Sequence, residues 1–472
     1  MVRANTLAAL VAFSLVPVRA FDLDVTSDVA ERESDSAKDS IKSTASSIAR
    51  VLVGFYNGNE TGEVPGILAD PYYWWNAGAM WDTLIQYWQL TGDDQYNGIV
   101  SQALQFQQGD HGDFMPLNET KTLGNDDQAT WALAAMSAAE QNFPAPESKS
   151  WVSLADAVFN EQAVRWDTQT CGGGLRWQIF SFNNGYNYKN SISNGDFFQL
   201  ASRLARFTGN TTYSDWASKV YNWTTSVGFI DDEYNVYDGA DAIQNCTSIS
   251  KIQFSYVAGT YISGAAHMYN ISSGDEQETW KTALDGLLKT NLDLFFPKGI
   301  ATEVSCEGQE TCNVDMHSMK GIFGQNLVDT IKVAPYTSSD IVKVITSTAE
   351  AAADACSSTG CALAWNGKND DTKTGGVGES LSALSYVQGL LVGKAAAPVT
   401  GATGGSASNS NGTATGTSGA SSTSTNSSTS GSPTSSETAA PTTSGNVAVA
   451  LGSQMGMGGV MAIAGSMAWF ML

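Results

Sequence analysis

Twelve segments of this 472-residue chain have the spacing of amphipathic helices, and they are joined alternately by short turns and by long loops. The helical segments span approximately 28–54, 75–90, 94–108, 127–141, 148–164, 193–208, 212–227, 251–270, 275–290, 317–333, 338–354 and 378–394. The short turns lie near 91–93, 144–150, 209–211, 272–274 and 335–339, and the long loops span 55–74, 109–126, 165–192, 228–250, 291–316 and 355–377. Helix hairpins repeated at roughly sixty-residue intervals predict an all-α fold, an (α/α)6 toroid of six hairpins. An open superhelix of hairpins is the alternative.

The long loops are predicted to form the working face of the molecule, because loops that carry function cluster on one face of a rigid scaffold. They are rich in glycine, asparagine, aspartate and aromatic residues, and they contain all six cysteines. The even-numbered helical segments are the more apolar and the richer in small residues. We therefore expect these six to line the inside of the toroid.

The start of the chain predicts secretion. Arg3 supplies a positive charge, 7–16 is an apolar run, and Val18-Arg19-Ala20 is a small-residue cleavage site, so 1–20 is interpreted as a signal peptide. The folded domain is then expected to span 21–395. Eight Asn-x-Ser/Thr sequons fit a secreted glycoprotein, at Asn59, Asn118, Asn210, Asn222, Asn245, Asn270, Asn411 and Asn426.

The end of the chain predicts attachment to a membrane. Residues 396–446 are mostly serine, threonine, glycine and alanine, a composition that favours a disordered, O-glycosylated stalk. Small residues at 444–446 precede a spacer and a tail that is apolar to the last residue, so 447–472 is interpreted as a GPI-attachment propeptide. A single membrane helix is the alternative. We expect a secreted protein, GPI-anchored at the outer face of the plasma membrane or in the cell wall.

The net charge of −23 argues against nucleic-acid binding, which needs a basic surface. It suits a protein that handles neutral sugars, although solubility alone explains it equally well. No Cys-x-x-Cys motif occurs and the chain has 3 histidines, so we expect no metal site and no cofactor. Cysteines in a secreted protein predict disulfides, and six of them allow fifteen pairings. Sequence proximity favours one set: Cys306–Cys312 and Cys356–Cys361, with Cys171–Cys246 remaining.

Four pairs of adjacent aspartates are candidates for acid chemistry. Asp93-Asp94 lies in a short turn, while Asp231-Asp232 and Asp370-Asp371 lie within long loops. Asp126-Asp127 alone sits where a long loop leads into an inner helix. This position suits a catalytic pair, and it equally suits first-turn acids that the helix dipole favours.

Paired carboxylates are what the cleavage of a glycosidic bond requires. A retaining glycosidase uses a nucleophile and an acid/base about 5–5.5 Å apart, which neighbouring residues at a helix start can reach. The helix N-terminus lowers the pKa of both acids. Burial and mutual repulsion favour the protonation of one of them, and that mixed state is the one the chemistry needs.

Aromatic and polar side chains in the neighbouring segments are candidates for sugar binding, because aromatic rings stack on sugars and amides bind hydroxyls. Other tryptophans, such as Trp88, Trp216 and Trp280, are expected in the core. The run Gly172-Gly173-Gly174 would allow a close backbone approach to a ligand. The candidates for substrate contact are Trp74, Trp75, Trp81, Asn125, Trp177, Tyr188, Lys189 and Asn190.

Several blocks resemble glycoside hydrolase family 76, the endo-α-1,6-mannanases, and in particular its fungal cell-wall branch. In chain order they are Trp74-Trp75 with Ala77-Gly78 and Trp81, Asn125-Asp126-Asp127, Gly172-Gly173-Gly174 with Trp177, Lys189-Asn190-Ser191-Ile192-Ser193-Asn194, Lys320-Gly321-Ile322-Phe323 and Gly378-Glu379-Ser380. The resemblance covers most of 30–395. It implies an (α/α)6 barrel, with Asp126 as nucleophile, Asp127 as general acid/base, and retention at the anomeric carbon. A further block, Phe254-Ser255-Tyr256, is a looser match.

The resemblance also implies the partners. They would be an α-1,6-linked mannan or the mannose core of a GPI glycan, with water or a β-glucan hydroxyl as acceptor, and the enzyme would be a monomer. Two alternatives belong to other classes: a catalytically silent mannan-binding wall protein, and a different (α/α)6 carbohydrate-active enzyme.

Overall fold

A computed structural model of the chain describes residues 23, 34–119, 121–145, 149–366 and 375–401. The predicted signal peptide (1–20), most of the predicted stalk (396–446), the predicted GPI-attachment propeptide (447–472) and the Asp370-Asp371 pair lie outside the described residues.

The described residues form a mostly helical protein, as predicted, with twelve α-helices. Their ends agree with the predicted segments to within about five residues, except that the first helix begins at Asp35 and was predicted to begin at 28. They are α1 (Asp35–Val53), α2 (Trp74–Thr91), α3 (Asn97–Gln107), α4 (Asn125–Glu140), α5 (Trp151–Val164), α6 (Ser191–Thr208), α7 (Thr211–Val227), α8 (Ser255–Ile271), α9 (Gly274–Phe295), α10 (Met316–Val333), α11 (Ser338–Asp354) and α12 (Val377–Gly389). Short 3₁₀ helices occupy Pro297–Gly299, Glu307–Gln309, Pro335–Thr337 and Leu390–Lys394.

The even-numbered helices pack against one another in order, α2 on α4, then α6, α8, α10 and α12, and α12 packs on α2. Each odd-numbered helix packs outside this series: α1 and α11 on α12, α3 on α2, α5 on α4, α7 on α6, and α9 on α8. The even-numbered helices are buried on nearly every side, which explains their small and apolar composition. Trp280 is buried, and Trp88 and Trp216 pack against the core, as predicted.

Glycines end two of the inner helices in the same way. Gly92 after α2 has φ 78° and Gly209 after α6 has φ 71°, a left-handed conformation that glycine adopts without strain. Both lie in a Thr-Gly turn of similar sequence. Each turn reverses the chain into an outer helix, so the inner helices all run in the same direction.

The N-terminal ends of the inner helices meet at the long-loop end of the domain. Trp75 at the start of α2 donates from Nε1 to Asp315 Oδ1 before α10, at 3.0 Å, and the Tyr72 hydroxyl accepts from the Val377 N–H of α12 at 3.1 Å. This end also carries a small antiparallel sheet: β1 (Tyr188–Asn190), β2 (Gly239–Asp241) and β3 (Ile249–Ser250), with Tyr188 opposite Asp241 and Gly239 opposite Ser250. A two-stranded ribbon pairs β4 (Cys356–Ser357) with β5 (Gly360–Cys361).

The three disulfides match the pairing that sequence proximity favoured: Cys171–Cys246, Cys306–Cys312 and Cys356–Cys361. All three lie in the long loops. The first joins cysteines that are 75 residues apart in sequence, and it links the third long loop to the fourth. Within the described ranges, no helix combines the length and the apolar character that crossing a membrane requires.

The C-terminal ends of the inner helices bury a cluster of charged groups. Arg203 of α6 bonds to Glu140 of α4 through Nε at 3.0 Å and Nη2 at 2.7 Å, and to Ser137 Oγ at 2.9 Å. His267 of α8 is almost fully buried, and this burial lowers its pKa to about 4, so the ring is neutral at physiological pH. The ion pair is therefore carried by arginine and glutamate.

The last described residues run across this same end. The Val399 N–H donates to the Glu140 carbonyl at 2.8 Å, and the Gly401 N–H donates to the Phe207 carbonyl at 2.7 Å. Arg206 adds bonds to the carbonyls of Pro398, at 2.5 Å, and Val399, at 3.3 Å. The chain thus leaves the described domain beside the C-termini of α4 and α6.

We predict that Arg203→Met lowers the free energy of unfolding by roughly 3–5 kcal/mol, because Glu140 would keep its buried charge without the guanidinium. Urea unfolding monitored by circular dichroism measures the change. Arg50→Met, at an exposed position of α1, is the matched control and should leave stability nearly unchanged. Adding Glu140→Leu to Arg203→Met should recover most of the loss, and a single variant as stable as the control would contradict the prediction.

Candidate active site

The Asp126-Asp127 pair lies in the first turn of α4, at the long-loop end, and both side chains are partly buried. The Gly124 N–H donates to Asp127 Oδ2 at 2.6 Å, and the Asp127 N–H donates to Asp126 Oδ1 at 3.1 Å. Each carboxyl therefore accepts a backbone hydrogen bond at a helix N-terminus, where the helix dipole also favours negative charge.

Gly124 leaves room for both carboxyl groups. A Cβ atom at this position would overlap Asp126 Oδ1 and lie 3.1 Å from both Asp127 Oδ2 and the Trp177 carbonyl oxygen. Its φ of −83° suits any residue, so the requirement is for space and not for an unusual conformation. The two carboxyls are consequently held on the same side of one backbone atom.

Asn125, a predicted substrate contact, is 2 % exposed and instead fixes the start of α4. Its N–H donates to the Trp177 carbonyl and its Nδ2 to the Arg176 carbonyl, both at 2.8 Å. Its Oδ1 accepts from Arg165 Nη1 at 3.0 Å, and its carbonyl accepts from Gln162 Nε2 at 2.7 Å. Asn125 therefore positions the pair and does not face the cleft.

The electrostatics of the pair follow from burial. Burial raises the pKa of Asp126 well above its ordinary value, and the charges of Asp127 and Asp196 raise it further. Burial also raises the pKa of Asp127 to about 6, with a smaller contribution from Asp315, while the Gly124 N–H lowers it. Above a pH of about 6, the two carboxyls together therefore hold one proton, until the pH is high enough to remove it.

Two acids near the pair, Asp196 and Asp315, were missed by the sequence analysis, and Tyr256, part of the looser-matching block 254–256, was not predicted as a site residue. Asp196, on α6, is 4 % exposed and accepts a hydrogen bond from Thr260 Oγ1 at 3.3 Å. Tyr256 begins α8, and burial with the charges of the surrounding aspartates raises the pKa of its hydroxyl, which stays protonated. Asp315 directly precedes α10, and its position is similar to that of the pair at the start of α4. A search for acids at the start of every inner helix would have found it.

Three predicted contacts lie partly exposed in segments that border the pair. Trp75 is held by its bond to Asp315. Trp177 packs against Gly185, where a Cβ atom would overlap the indole ring. Tyr188 donates its hydroxyl proton to Asp238 Oδ2 at 2.6 Å. These aromatic side chains remain candidates for sugar contact.

Two predicted tryptophan contacts are core residues instead. Trp81 is fully buried and donates from Nε1 to the Gly66 carbonyl at 2.9 Å. Trp74 is 8 % exposed, stacks on Trp131 with ring centroids 4.7 Å apart, and donates to Gln107 Oε1 at 2.9 Å. With their rings packed against protein, neither offers a face to a sugar in this conformation.

Lys189 and Asn190, two further predicted contacts, are also structural. Lys189 is fully buried, and its Nζ donates to the carbonyls of Asp167, Thr170 and Gly173 at 2.9, 2.8 and 2.6 Å. Asn190 is 6 % exposed and caps α6 by accepting from the Ser193 N–H at 3.3 Å. The third long loop is therefore folded around the buried Lys189 side chain.

The glycine run serves the same loop and not a ligand. Gly173 has φ 155° and Gly174 has φ 99°, and a Cβ at either position would press into the ring of Trp223. The small residues are needed because the loop backbone passes directly over this indole.

The sequence profile of glycosyl hydrolase family 76 matches residues 40–402 of the chain. The chain belongs to glycosyl hydrolase family 76. It is therefore a glycosidase.

Two fungal relatives are similar to this chain over most of their length. A putative mannan endo-1,6-alpha-mannosidase of Schizosaccharomyces pombe is 42% identical over 408 residues, which are 85% of this chain and 89% of the relative. The mannan endo-1,6-alpha-mannosidase DCW1 of Saccharomyces cerevisiae is 42% identical over 379 residues, 78% of this chain and 83% of the relative.

Solved structures of family 76 proteins share the fold. The crystal structure of Dfg5 from Chaetomium thermophilum in complex with glucosamine has a TM-score of 0.74 and 42% identity, covering 78% of this chain and 93% of that one. An inactive variant of a Salegentibacter α-1,6-mannanase, in complex with α-1,6-mannotriose, has a TM-score of 0.60 at 19% identity over 74% and 99% of the two chains.

We predict that Gly124→Ala lowers kcat about 10²-fold without unfolding the protein, because the new methyl group displaces the carboxyls from their positions. The comparison is with Gly98→Ala on α3, where an added Cβ meets no atom within 4 Å. Turnover assays with circular dichroism as a folding check provide the measurement. Equal activity of the two variants would show that the close packing at Gly124 has no catalytic role.

We also predict a bell-shaped pH profile with an acid limb near pH 6. Below this value both carboxyls are protonated and no carboxylate is available, so activity rises as Asp127 ionises and falls once Asp126 loses its proton. Asp315→Asn should move the acid limb to lower pH, because the charge of Asp315 raises the pKa of Asp127. Asp94→Asn, in a short turn at the opposite end, should leave the profile in place.

Proposed function

We propose that this protein is a retaining endo-α-1,6-mannosidase of the fungal cell wall, with Asp126 and Asp127 as its catalytic acids. The observation that supports this most directly is the pair itself: two adjacent carboxyls at a helix start, with pKa values that leave one proton between them. One ionised and one protonated carboxyl is the state that retaining hydrolysis requires.

In the proposed reaction, Asp126 attacks the anomeric carbon while Asp127 gives its proton to the leaving oxygen, so the glycosidic bond breaks as the enzyme–sugar ester forms. Asp127 then removes a proton from the acceptor hydroxyl, which displaces Asp126 and restores the α configuration. The free site, where the pKa of Asp127 is the lower of the two, favours the opposite distribution of the proton. The division of roles between the two acids is therefore itself a point to test.

The acids around the pair favour a glycosidic transition state. This state carries positive charge on the sugar ring, and Asp196 and Asp315 add negative field beside the pair where they are ionised, although burial raises the pKa of both. The same field opposes anionic substrates and accepts neutral or cationic sugars. A mannan backbone fits this preference, and the related Salegentibacter enzyme, inactive when two consecutive aspartates are replaced by asparagine, carries α-1,6-mannotriose.

A GPI-core glycan is the second candidate substrate, with transfer of its mannose core to a β-glucan hydroxyl. The glucosamine in the Chaetomium Dfg5 complex favours it, because GPI glycans contain this cationic sugar and α-1,6-mannan does not. In either case we place a monomeric enzyme outside the cell, carried by the 396–446 stalk and a GPI anchor, with the six inner helices closed into an (α/α)6 barrel. The helix-to-helix packing order supports the barrel.

The product test uses the secreted protein ending at residue 401, with an α-1,6-mannooligosaccharide, a GPI-core glycan and a β-glucan acceptor, analysed by mass spectrometry. Shorter free mannosides would support hydrolysis, and a glycan joined to the acceptor would support transfer. No product from either substrate, at an enzyme concentration where a known mannanase acts, would favour the mannan-binding protein instead.

We predict that Asp126→Asn and Asp127→Asn each reduce turnover by at least about 10³-fold while the protein stays folded. The pKa of Asp127 is about 6 in the folded protein and 3.8 ordinarily, so the protonated carboxyl favours the folded state. This stabilisation is complete below about pH 3.8 and is lost as the pH rises through about 6. At pH 7 the Asp127→Asn variant should consequently be at least as stable as the wild type. Thermal melts at pH 5 and pH 7 check this, and near-normal turnover in either variant would exclude that acid from the chemistry.

Azide rescue of alanine variants would assign the roles, using an aryl α-1,6-mannobioside whose leaving group needs no acid. Azide that replaces the nucleophile attacks the opposite face of the sugar and gives a β-azide. Azide that replaces the activated acceptor attacks the glycosyl-enzyme and gives an α-azide. A β-azide from Asp126→Ala would identify Asp126 as the nucleophile, and an α-azide would exchange the two roles.

A further inference from the structure

The loop between Arg176 and Tyr188 is joined directly to the segment that leads into the catalytic pair. Gln178 forms an antiparallel bridge with Gly124, and the Ile179 N–H donates to the Leu123 carbonyl at 3.3 Å. Farther along the loop, Asn183 Nδ2 donates to the Lys121 carbonyl at 3.0 Å. The loop therefore extends the border of the cleft on the side where α4 begins.

Two phenylalanines of this loop form an exposed aromatic surface. The rings of Phe180 and Phe182 stack with planes 11° apart and centroids separated by 5.4 Å. Phe182 is 69% exposed. Because one face of its ring rests on Phe180, the exposed area must include the opposite face.

This surface lies close to the reacting groups. Phe180 and Asp126 are each two residues from the bridge that joins their segments. At about 3.5 Å per residue and about 5.5 Å across an antiparallel pair, their Cα atoms are at most about 20 Å apart. An oligosaccharide that extends from the catalytic pair along this side of the cleft would reach the phenylalanines.

The loop that carries the rings is held in shape by several contacts. The Asn183 N–H donates to the Phe180 carbonyl at 3.0 Å, and Gly185 packs closely on the Trp177 ring. The Arg176 guanidinium lies 4.6 Å from the centroid of the Tyr186 ring and also bonds to Asp167 at 2.8 Å. An aromatic surface on a pre-formed loop loses little conformational entropy when it binds a ligand.

The chemistry of the surroundings selects a neutral sugar as the occupant. An exposed pair of rings is small beside the area that a stable protein partner buries. The net charge of −23 opposes approach to an anionic lipid surface and has no such effect on a neutral glycan. The loop that carries the surface is also bridged to the segment that leads into the acid pair.

We propose that Phe182, supported by Phe180, forms an outer subsite that stacks on a pyranose ring of a bound glycan, beyond the rings on either side of the cleaved bond. This inference rests on the proposed mannosidase function. The proposed subsite lies beyond the three sugars nearest the acid pair, and it therefore makes the enzyme selective for long chains.

The test compares Phe182→Ser with Phe106→Ser in the secreted protein, using α-1,6-mannotriose and α-1,6-mannooctaose. Phe106 is 56% exposed on the outer helix α3, away from the loop, and so is the matched control. We expect Phe182→Ser to lower kcat/KM for the octasaccharide about five- to tenfold, as the loss of one aromatic contact implies, and to leave the trisaccharide value unchanged. The control should change neither value.

Equal losses on both substrates, or no loss on the octasaccharide, would overturn the subsite while leaving the mannosidase function intact. If the wild type cleaves neither substrate, the proposed function fails, and calorimetric binding of the octasaccharide then decides the subsite. Weaker binding by Phe182→Ser than by Phe106→Ser would support it. Equal binding by the two variants, or no binding by the wild type, would overturn it.

Discussion

The hydrogen bonds between Asn125 and the carbonyls of Arg176 and Trp177 are the contacts on which the rest of the site depends. They hold the start of α4 against the third long loop, and the two acids proposed as catalytic are the next two residues. The loop can hold this position because Lys189 occupies its interior and satisfies three of its carbonyls. A buried lysine with that many partners is costly to remove, because the carbonyls around it would be left unpaired in the protein interior.

The site brings several carboxyl groups together in a buried region, where burial and mutual repulsion disfavour negative charge. Burial raises the pKa of Asp126, Asp127, Asp196 and Asp315, and the charges of neighbouring acids raise the pKa values of the first three further. Helix N-termini supply partial positive charge at the same end of the domain, which offsets part of that cost. The resulting negative field does little to stabilise the folded protein. In the proposed reaction it would stabilise the positive charge on the sugar.

The sequence predicted the helices and the position of the Asp126-Asp127 pair at the start of an inner helix because both depend on local patterns. Periodicity identifies a helix without knowledge of its neighbours, and Asp126-Asp127 is marked by the boundary between a loop and a helix. The separation of binding residues from core residues could not be read in this way. Trp81 is buried by its approach to Gly66, and Lys189 by a loop that folds around it, so their roles are set by contacts that composition does not encode. Asp196 could not be identified for the opposite reason, because no local pattern distinguishes it from the other residues of its buried helix.

The docking of Pro398 to Gly401 beside Glu140 and Phe207 determines where the remainder of the chain begins. α4 carries the Asp126-Asp127 pair at one end and Glu140 at the other, and its 16 residues span about 24 Å. The pair and the last described residues therefore lie at opposite ends of the same helix. A ligand that approaches the long-loop end meets the two acids without meeting residues 398–401.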